Sequence, residues 1–333
     1  MKFGSVPLSE AEGAILAHAV RIDGVALKKG DVVTAERCKA LAAAGVSEVM
    51  AARLEQGDVG EDAAARLLAV RIAGTNVRPA PAFTGRVNLY AEKAGLALID
   101  AAAIDRANAL DESITVATLP RFRVVAEGDM VATVKIIPFS TRGDLLKAAL
   151  EAAGSGAVAV APFRPLKIAV ASTLLPGLKT SVVAKTARAL EARLKPTGAR
   201  VVAHETTPHD IAPLAEVLQR LAPAADAVVV FGASAITDRR DVIPAAIAAI
   251  GGRIERFGMP VDPGNLLLLA CAGDTTIIGA PGCARSPKEN GFDWILQRVI
   301  AGVPTSDADI RGMGVGGLLM EIASRPQPRD PHE

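Results

Sequence analysis

Residues 227–241 read AVVVFGASAITDRRD, a run of five apolar residues that leads through small and polar residues to an aspartate. A short, continuous apolar run is typical of a strand that is buried on both faces, as the strands of parallel sheets are. Asp241 and Pro244 stand where a helix begins, since proline costs no hydrogen bond in the first turn. The stretch therefore predicts a strand, a loop and a helix, the repeating unit of α/β folds.

The same pattern recurs before and after this stretch. Residues 166–171 and 199–203 are short apolar runs, each followed by an amphipathic helical pattern, and residues 266–270 and 275–278 form a predicted hairpin. Apolar strands that alternate with amphipathic helices indicate a parallel sheet with helices on both faces. We therefore predict a three-layer, mostly parallel α/β domain over residues 162–325.

The first part of the chain is less regular, and it predicts a mixed α+β region over residues 1–161. Thr34 is the predicted N-cap of a helix that ends near Ala44, and helical patterns cover residues 61–72 and 145–152. The boundary with the second domain falls among prolines, because proline removes a backbone donor and favours extended geometry in the residue before it.

The composition of the chain excludes several classes of protein, and its end is rich in proline. Residues 326–333 form a predicted Pro-rich tail. Lys and Arg total 37 against 36 for Asp and Glu, so the net charge of +1 provides no field that would attract nucleic acid. No apolar stretch reaches the roughly 20 residues of a membrane span. The 3 cysteines show no C-x-x-C spacing, which argues against a disulfide framework and favours a reducing cytoplasm.

A loop that suits an anion follows the apolar run at 227–231. In an open parallel sheet, ligands bind outside the carboxyl ends of the strands, where Gly232-Ala233-Ser234-Ala235 and Arg239 are expected. Small residues let backbone amides approach an anion, and arginine neutralises phosphate. The segment predicts a phosphate-binding loop, with a solvated strand-to-helix loop as the alternative.

Two aspartates share a local pattern. Asp210 and Asp241 each precede a predicted helix that carries proline in its first turn, at Pro213 and Pro244. The simpler interpretation is a pair of helix N-caps. The alternative is that both carboxylates lie at the carboxyl edge of the sheet as ligands of a metal ion or a substrate hydroxyl, and the two roles can coexist.

A third segment combines two Pro-Gly turns, Pro263-Gly264 and Pro281-Gly282, with Cys283 and Arg285. Rigid turns present backbone amides and carbonyls that can hold a planar heterocycle, and Arg285 stands beside a predicted helix start, which suits an anion. Ordinary turns with a solvated basic side chain are the alternative. We interpret Cys283 as a small filler rather than a reactive thiol.

In this order, these segments resemble the molybdopterin-binding domain shared by proteins of molybdenum-cofactor biosynthesis, which include molybdopterin adenylyltransferases, molybdopterin molybdotransferases and gephyrin. The segments that carry the resemblance are Thr207-Pro208-His209-Asp210, Gly232-Ala233-Ser234-Ala235, Arg240-Asp241-Val242-Ile243-Pro244-Ala245-Ala246, Val261-Asp262-Pro263-Gly264-Asn265 and Gly279-Ala280-Pro281-Gly282-Cys283-Ala284. The likeness covers about residues 165–302 and is closest to the molybdopterin-binding half of proteins that join this half to a nucleotidyltransferase.

The resemblance implies molybdopterin as ligand, with Asp210 and Asp241 as catalytic residues and ligands of Mg²⁺. The cofactor-binding residues that it implies are Gly232, Ala233, Ser234, Ala235, Arg239, Pro263, Gly264, Pro281, Gly282, Cys283 and Arg285. It further implies nucleotidyl transfer to the pterin phosphate or molybdate insertion in a homo-oligomer. Nucleic acid and membrane are not expected as partners, because of the charge balance and the lack of a long apolar stretch. The alternatives are a non-catalytic carrier for a separate nucleotidyltransferase or molybdoenzyme and, from another class, a nucleotide-binding oxidoreductase.

The chain departs from the family pattern in these loops. Ala233 and Ala235 stand where the family has glycines, Asn265 lies near the place of a family lysine that is absent here, and Cys283 stands where the family has asparagine. A methyl group hinders both a positive φ and the close approach of a phosphate to the backbone. The departures bear on catalysis more than on binding.

Overall fold

The computed structural model describes residues 1–22, 25–177 and 180–319, without the side chains of Val25 and Thr180. The chain divides into two compact units, Met1–Pro162 and Phe163–Glu333. The predicted Pro-rich tail at 326–333 lies outside the described residues. No helix in the described part of the chain is long and apolar enough to cross a membrane.

The first unit opens with a small region that has its own apolar core around Leu16, Val33 and Leu41. Thr34 caps the helix as predicted, with its hydroxyl oxygen accepting the Arg37 amide at 3.3 Å. Strands β1, β2 and β5 form an antiparallel sheet in the order β1-β5-β2, and β3 pairs with β4. The elements are β1 (Lys2–Pro7), β2 (Ile15–Leu16), β3 (Val20–Ile22), β4 (Val25–Leu27), α1 (Ala35–Ala43) and β5 (Glu48–Arg53).

The rest of the first unit surrounds a larger core that includes Leu68, Leu89 and Ile136. Its strands form small sheets in the orders β10-β12-β8-β7, β11-β9-β14 and β13-β6, so the unit has mixed α+β structure. The elements are β6 (Asp58–Gly60), α2 (Glu61–Ile72), β7 (Val77–Pro79), β8 (Arg86–Ala91), β9 (Gly95–Ile99), α3 (Ala101–Asn108), β10 (Ile114–Thr118), β11 (Val124–Val125), β12 (Met130–Ile136), β13 (Ser140–Arg142), α4 (Gly143–Ala153) and β14 (Val158–Pro162).

The second unit is built on one sheet of six strands in the order β16-β15-β17-β20-β19-β18. Strands β16, β15, β17 and β20 are parallel, and β19 runs antiparallel to both β20 and β18. The strands are β15 (Lys167–Leu174), β16 (Arg200–Pro208), β17 (Ala227–Phe231), β18 (Arg253–Phe257), β19 (Leu268–Ala272) and β20 (Thr275–Ala280).

Helices cover both faces of this sheet. Leu190 of α5 and Phe292 of α8 belong to the core on one face, whereas Leu214 of α6 and Ile243 of α7 belong to the core on the other. The helices are α5 (Thr180–Leu194), α6 (Ile211–Leu221), α7 (Val242–Ala249), α8 (Gly291–Ala301) and α9 (Asp307–Arg311). The predicted three-layer, mostly parallel α/β fold is confirmed.

The direction of the strands places the predicted site segments at one edge of the sheet. The parallel strands end at Leu174, Pro208, Phe231 and Ala280. Strand β18 runs in the same direction, so the loop that follows Phe257 leaves from this edge as well. We call it the carboxyl edge.

Candidate functional site

The loop after β17 is held close to the start of α7. A Cβ atom on Gly232 would lie 2.7 Å from the Ser234 carbonyl oxygen and 2.8 Å from the Ile243 side chain, so only glycine fits there. The next residues rise out of the core, and Ser234 and Ala235 are exposed. The sequence therefore turns sharply after a buried strand and presents small residues at the carboxyl edge.

Part of the predicted amide cradle is already occupied by the protein itself. The Ala233 amide donates to the buried Thr173 hydroxyl oxygen at 2.8 Å, and the Thr237 amide donates to the Asp241 carboxylate at 3.2 Å. The prediction that the Ala233 amide holds a phosphate needs correction, because β15 takes that donor. The amides of residues 234–236 have no hydrogen-bond partner among the described residues, so they are the donors left for an anion.

The two arginines that follow this loop differ in their surroundings. Arg240 pairs with Asp238 at 2.8 Å. The predicted site residue Arg239 is exposed and has no ion-pair partner in the described part of the chain. Arg239 is therefore available at the rim, but no contact of the structure directs it toward the Gly232 loop.

Arg285 lies directly beneath the Gly232 loop. It donates to the Gly232 carbonyl oxygen at 2.7 Å and to the Thr186 hydroxyl at 3.0 Å, and its guanidinium lies 5.6 Å from the centroid of the Phe231 ring. Burial lowers the pKa of Arg285, although a guanidinium keeps its charge. No carboxylate among the described residues pairs with it. The structure thus places a half-buried positive charge without a negative partner at the predicted site.

A second arginine near this site was not found from the sequence. Arg193, at the end of α5, forms an ion pair of 2.6 Å with Asp293 and also donates to the carbonyl oxygens of Ala284 and Ser286. Its guanidinium lies 5.8 Å from the centroid of the Phe292 ring. Arg193 therefore fixes the loop after β20, and no periodicity or spacing links residues that lie so far apart in sequence.

Both predicted aspartates stand at helix starts on the carboxyl edge. Asp241 caps α7, and its two carboxylate oxygens accept the Val242 amide at 2.7 Å and the Thr237 amide at 3.2 Å. Asp210 occupies the N-cap position of α6, but its side chain accepts no amide and is exposed. One carboxylate is therefore partly used by the fold, and the other has no partner among the described residues.

The first Pro-Gly turn is buried against the start of α8. The Pro263 carbonyl oxygen accepts the Gly291 amide at 2.8 Å, and a Cβ atom on Gly264 would lie 2.7 Å from the Gly291 nitrogen. Both turn residues are buried, which was not expected of residues that frame a cofactor. The turn thus supports the site from below.

The second Pro-Gly turn is more open. Pro281 is buried, whereas Gly282 is exposed and a Cβ atom there would meet nothing within 4 Å. The Asn290 side chain, which caps α8, donates to the Cys283 carbonyl oxygen at 3.4 Å. Because Asn290 and Gly291 are neighbours, the start of α8 ties both turns together.

Cys283 is half-buried in this turn. Burial, with Asp262 and Asp293 as the nearby negative charges, raises the pKa of its thiol. A thiol with a raised pKa is a poor nucleophile at neutral pH. The interpretation of Cys283 as a small filler stays a prediction, which the raised pKa of the thiol favours.

The residues present do not form a metal site by themselves. Among the described residues, no group of three or more His, Cys, Asp or Glu side chains could hold a metal ion. Mg²⁺ usually binds through one or two carboxylates together with the phosphates of a substrate. Asp210 follows β16 and Asp241 follows β17, and β15 lies between these strands in the sheet, so each aspartate offers one carboxylate to an arrangement of that kind.

The structure also has a cavity of about 540 Å³ at the opposite edge of the sheet, before the starts of β15, β17 and β20. Its lining includes Arg164, Asp226, Glu255 and Cys271, and none of the predicted site residues. This cavity therefore lies apart from the predicted site residues, which are on the loops of the carboxyl edge.

Two regions of the chain match models of known protein families. Residues 168–301 match the family model described as a probable molybdopterin binding domain. The matched region runs from the second residue of β15 to the end of α8, so every predicted site residue falls inside it. Residues 5–53 match a domain of unknown function, DUF8806. No curated protein matches the chain.

Solved structures of molybdenum-cofactor proteins show a distant likeness. The molybdopterin biosynthesis MoeA protein from Pyrococcus horikoshii is 15% identical, with 74% of this chain and 81% of that chain covered and a TM-score of 0.32. The molybdopterin biosynthesis enzyme MoaB from Thermus thermophilus is 16% identical, with 42% of this chain and 98% of that chain covered and a TM-score of 0.31.

A molybdenum cofactor biosynthesis protein from Pyrococcus furiosus is 10% identical, with 93% of this chain and 65% of that chain covered and a TM-score of 0.26. TM-scores this low do not establish a shared fold. The similarity of residues 168–301 to a probable molybdopterin binding domain rests on the family model.

Proposed function

We propose that the second unit binds molybdopterin at the carboxyl edge of its sheet and acts in molybdenum-cofactor biosynthesis. The family match at 168–301 supports the class of ligand. The observation that carries the location is Arg285, a half-buried guanidinium with no carboxylate partner among the described residues. A buried charge is costly unless an opposite charge meets it, and the pterin phosphate supplies that charge.

The phosphate would be held from two sides. Arg285 offers the donors of its guanidinium that the Gly232 carbonyl and the Thr186 hydroxyl leave free, and the amides of residues 234–236 offer a backbone cradle. Arg239 adds a positive charge at the rim. The exposed Gly282 leaves room for the pterin ring beside the phosphate.

The catalytic form of this proposal is nucleotidyl transfer. An oxygen of the pterin phosphate attacks the α-phosphorus of ATP or CTP, the new P–O bond replaces the bond to the β-phosphate, and pyrophosphate leaves. Asp210 and Asp241 would hold Mg²⁺ together with the phosphate oxygens, and the ion would supply charge neutralisation. Molybdate insertion at the same edge is the other reaction within this proposal.

Binding of molybdopterin to the full chain, measured by titration calorimetry under anaerobic conditions, tests the proposal. Arg285→Met should weaken binding at least about tenfold, because a charge-assisted hydrogen bond contributes roughly 1.5–3 kcal/mol. Arg220→Met is the matched control, since Arg220 is exposed on α6 and pairs with Glu205. Absence of binding to the unaltered protein, or equal binding to the Arg285 variant, would contradict the proposal.

A carrier role is the second candidate, and the arrangement of donors favours it in one respect. Both Asp241 oxygens already accept backbone amides, so this carboxylate has less capacity left to hold the Mg²⁺ that catalysis would need. A carrier would present the cofactor to a separate nucleotidyltransferase or molybdoenzyme. Release of pyrophosphate from ATP or CTP by the molybdopterin-loaded protein in the presence of Mg²⁺ would decide for the enzyme.

Oligomeric state and compartment complete the proposal. We place the protein in the cytoplasm, where its free cysteines, Cys38, Cys271 and Cys283, would stay reduced. A homo-oligomer is proposed from the family resemblance, and light scattering after size-exclusion chromatography measures it.

A further inference from the structure

The buried hydroxyl of Thr173, at the carboxyl end of β15, links two segments of the site. Its oxygen accepts the Ala233 amide at 2.8 Å and lies 2.8 Å from Nδ1 of His209. Thr173 is 1% exposed, so water does not satisfy its hydroxyl. The hydroxyl therefore bridges the loop after β17 and the loop after β16.

The bonding capacity of this hydroxyl fixes the tautomer of the imidazole. A threonine hydroxyl has one proton to donate and two lone pairs to accept. The Ala233 amide occupies a lone pair, and His209 Nδ1 is the only acceptor among the described residues that lies within reach of the proton. A buried hydroxyl is seldom left without an acceptor, so Thr173 donates to Nδ1 and the imidazole proton resides on Nε2.

We propose that His209 is a positioning residue for the anion loop: by accepting the Thr173 proton, it orients the hydroxyl lone pair that holds the Ala233 amide. The proposal rests on the proposed function, since the loop so fixed is the one that would receive the pterin phosphate. With the Ala233 amide tied down, the amides of residues 234–236 are held in one arrangement toward the ligand. His209 acts here through Thr173 and the backbone.

The same strand carries a natural control. One residue earlier in β15, the Ser172 hydroxyl lies 2.9 Å from Nε2 of His204, and Ser172 is also buried. No loop amide bonds to Ser172 among the described residues. Removing His204 therefore breaks a hydroxyl–imidazole bond of the same kind without touching the anion loop.

The first test needs no ligand. ¹⁵N NMR of the imidazoles in the full chain should show the His209 proton on Nε2, at a pH where the ring is neutral. Hydrogen exchange at the Ala233 amide should become faster in His209→Ala and stay unchanged in His204→Ala. A proton on Nδ1, or an Ala233 amide that exchanges equally in both variants, would overturn the proposal.

The second test measures molybdopterin affinity. His209→Ala should weaken binding about fivefold, because the Ala233 amide is then no longer held before the ligand arrives, and ordering the backbone of one residue costs roughly 1 kcal/mol. His209→Asn should restore most of the affinity, since its amide oxygen can accept the Thr173 proton, and Thr173→Ser should bind like the unaltered protein. Equal binding by His209→Ala and His204→Ala, or no rescue by asparagine, would contradict a positioning role.

The two tests separate the two proposals. If the unaltered protein does not bind molybdopterin, the proposed function fails, and the tautomer and amide exchange still decide whether His209 positions the loop. If binding is normal and insensitive to His209→Ala, the positioning role fails and the proposed function stands.

Discussion

Arg193 and Arg285 occupy similar places in the second unit and differ in one respect. Their guanidinium groups lie 5.8 Å and 5.6 Å from the rings of Phe292 and Phe231, and the two rings lie 6.3 Å apart. Arg193 pairs with the buried Asp293, whereas Arg285 bonds only to a carbonyl oxygen and a hydroxyl among the described residues. The charge of Arg193 is neutralised within the fold, whereas the charge of Arg285 has no carboxylate partner among the described residues and lies at the carboxyl edge.

The contrast separates a charge that the fold neutralises from one that it leaves available to a ligand. Removing one partner of a buried ion pair leaves the other charge uncompensated, which costs far more than the pair contributes. Removing a charge that has no partner lowers the folding stability less than removing one member of a pair. It lowers the affinity more, because the ligand that would neutralise the charge loses its counter-ion. The same distinction applies to the glycines and aspartates of this edge.

The largest effect is expected at Arg193. Arg193→Met should lower the free energy of unfolding by about 3–5 kcal/mol, because Asp293 remains buried without its partner. Arg285→Met should cost only about 1 kcal/mol, since it leaves an unbonded carbonyl but no buried charge. Urea denaturation of both variants measures the difference.

Asp293→Asn in the Arg193→Met background is the control for this prediction. The double variant should recover part of the lost stability, because it removes the stranded carboxylate, although Asp293 also accepts the Asn290 amide at the start of α8. Equal losses in Arg193→Met and Arg285→Met would remove the distinction between the two arginines.

Much of the fold could be predicted because the physical signals are local. The buried strand β17 was predicted over 227–231 and is observed over Ala227–Phe231, since a strand covered on both faces must be apolar throughout. Strand β16 was predicted only over 199–203 but extends to Pro208. It lies at the edge of the sheet, where exposed polar residues such as His204 and Thr206 interrupt the apolar run from which a strand is predicted.

The second prediction extends the contrast to two glycines. Gly264→Ala should lower stability by about 1–3 kcal/mol, because φ is +141° and the added Cβ would lie 2.7 Å from the Gly291 backbone nitrogen. Gly282→Ala meets no atom within 4 Å and should stay within about 0.5 kcal/mol. Thermal unfolding measures both.

At Gly282, the affinity for molybdopterin should change although the stability does not. Its exposed position is where the pterin ring is proposed to lie, so Gly282→Ala should weaken molybdopterin binding in a protein of unchanged stability. If Gly264→Ala is as stable as the unaltered protein, the Pro263-Gly264 turn can move to accommodate a Cβ atom. The close contact between this turn and α8 would then not be needed to support the site.

The site could be predicted as a set of segments but not as a set of contacts. The rule that ligands bind beyond the carboxyl ends of parallel strands placed the three loops together. Neither periodicity nor spacing reveals that Thr173 takes the Ala233 amide or that Arg193 reaches Asp293. Those bonds join distant parts of the chain, and only the packed tertiary structure brings their atoms within reach.

The smallest effect is expected at the two aspartates, which differ as the two arginines do. Asp241→Ala removes the acceptor of two backbone amides and should lower the free energy of unfolding by about 1 kcal/mol. Asp210→Ala removes a side chain that accepts no amide and should change it by less than about 0.5 kcal/mol. If the protein catalyses nucleotidyl transfer, both variants should lose pyrophosphate release, because both carboxylates would hold Mg²⁺ with the phosphate oxygens. Loss of activity in Asp241→Ala alone would instead indicate that this aspartate acts by shaping the loop, which would leave Asp210 without a role in the reaction.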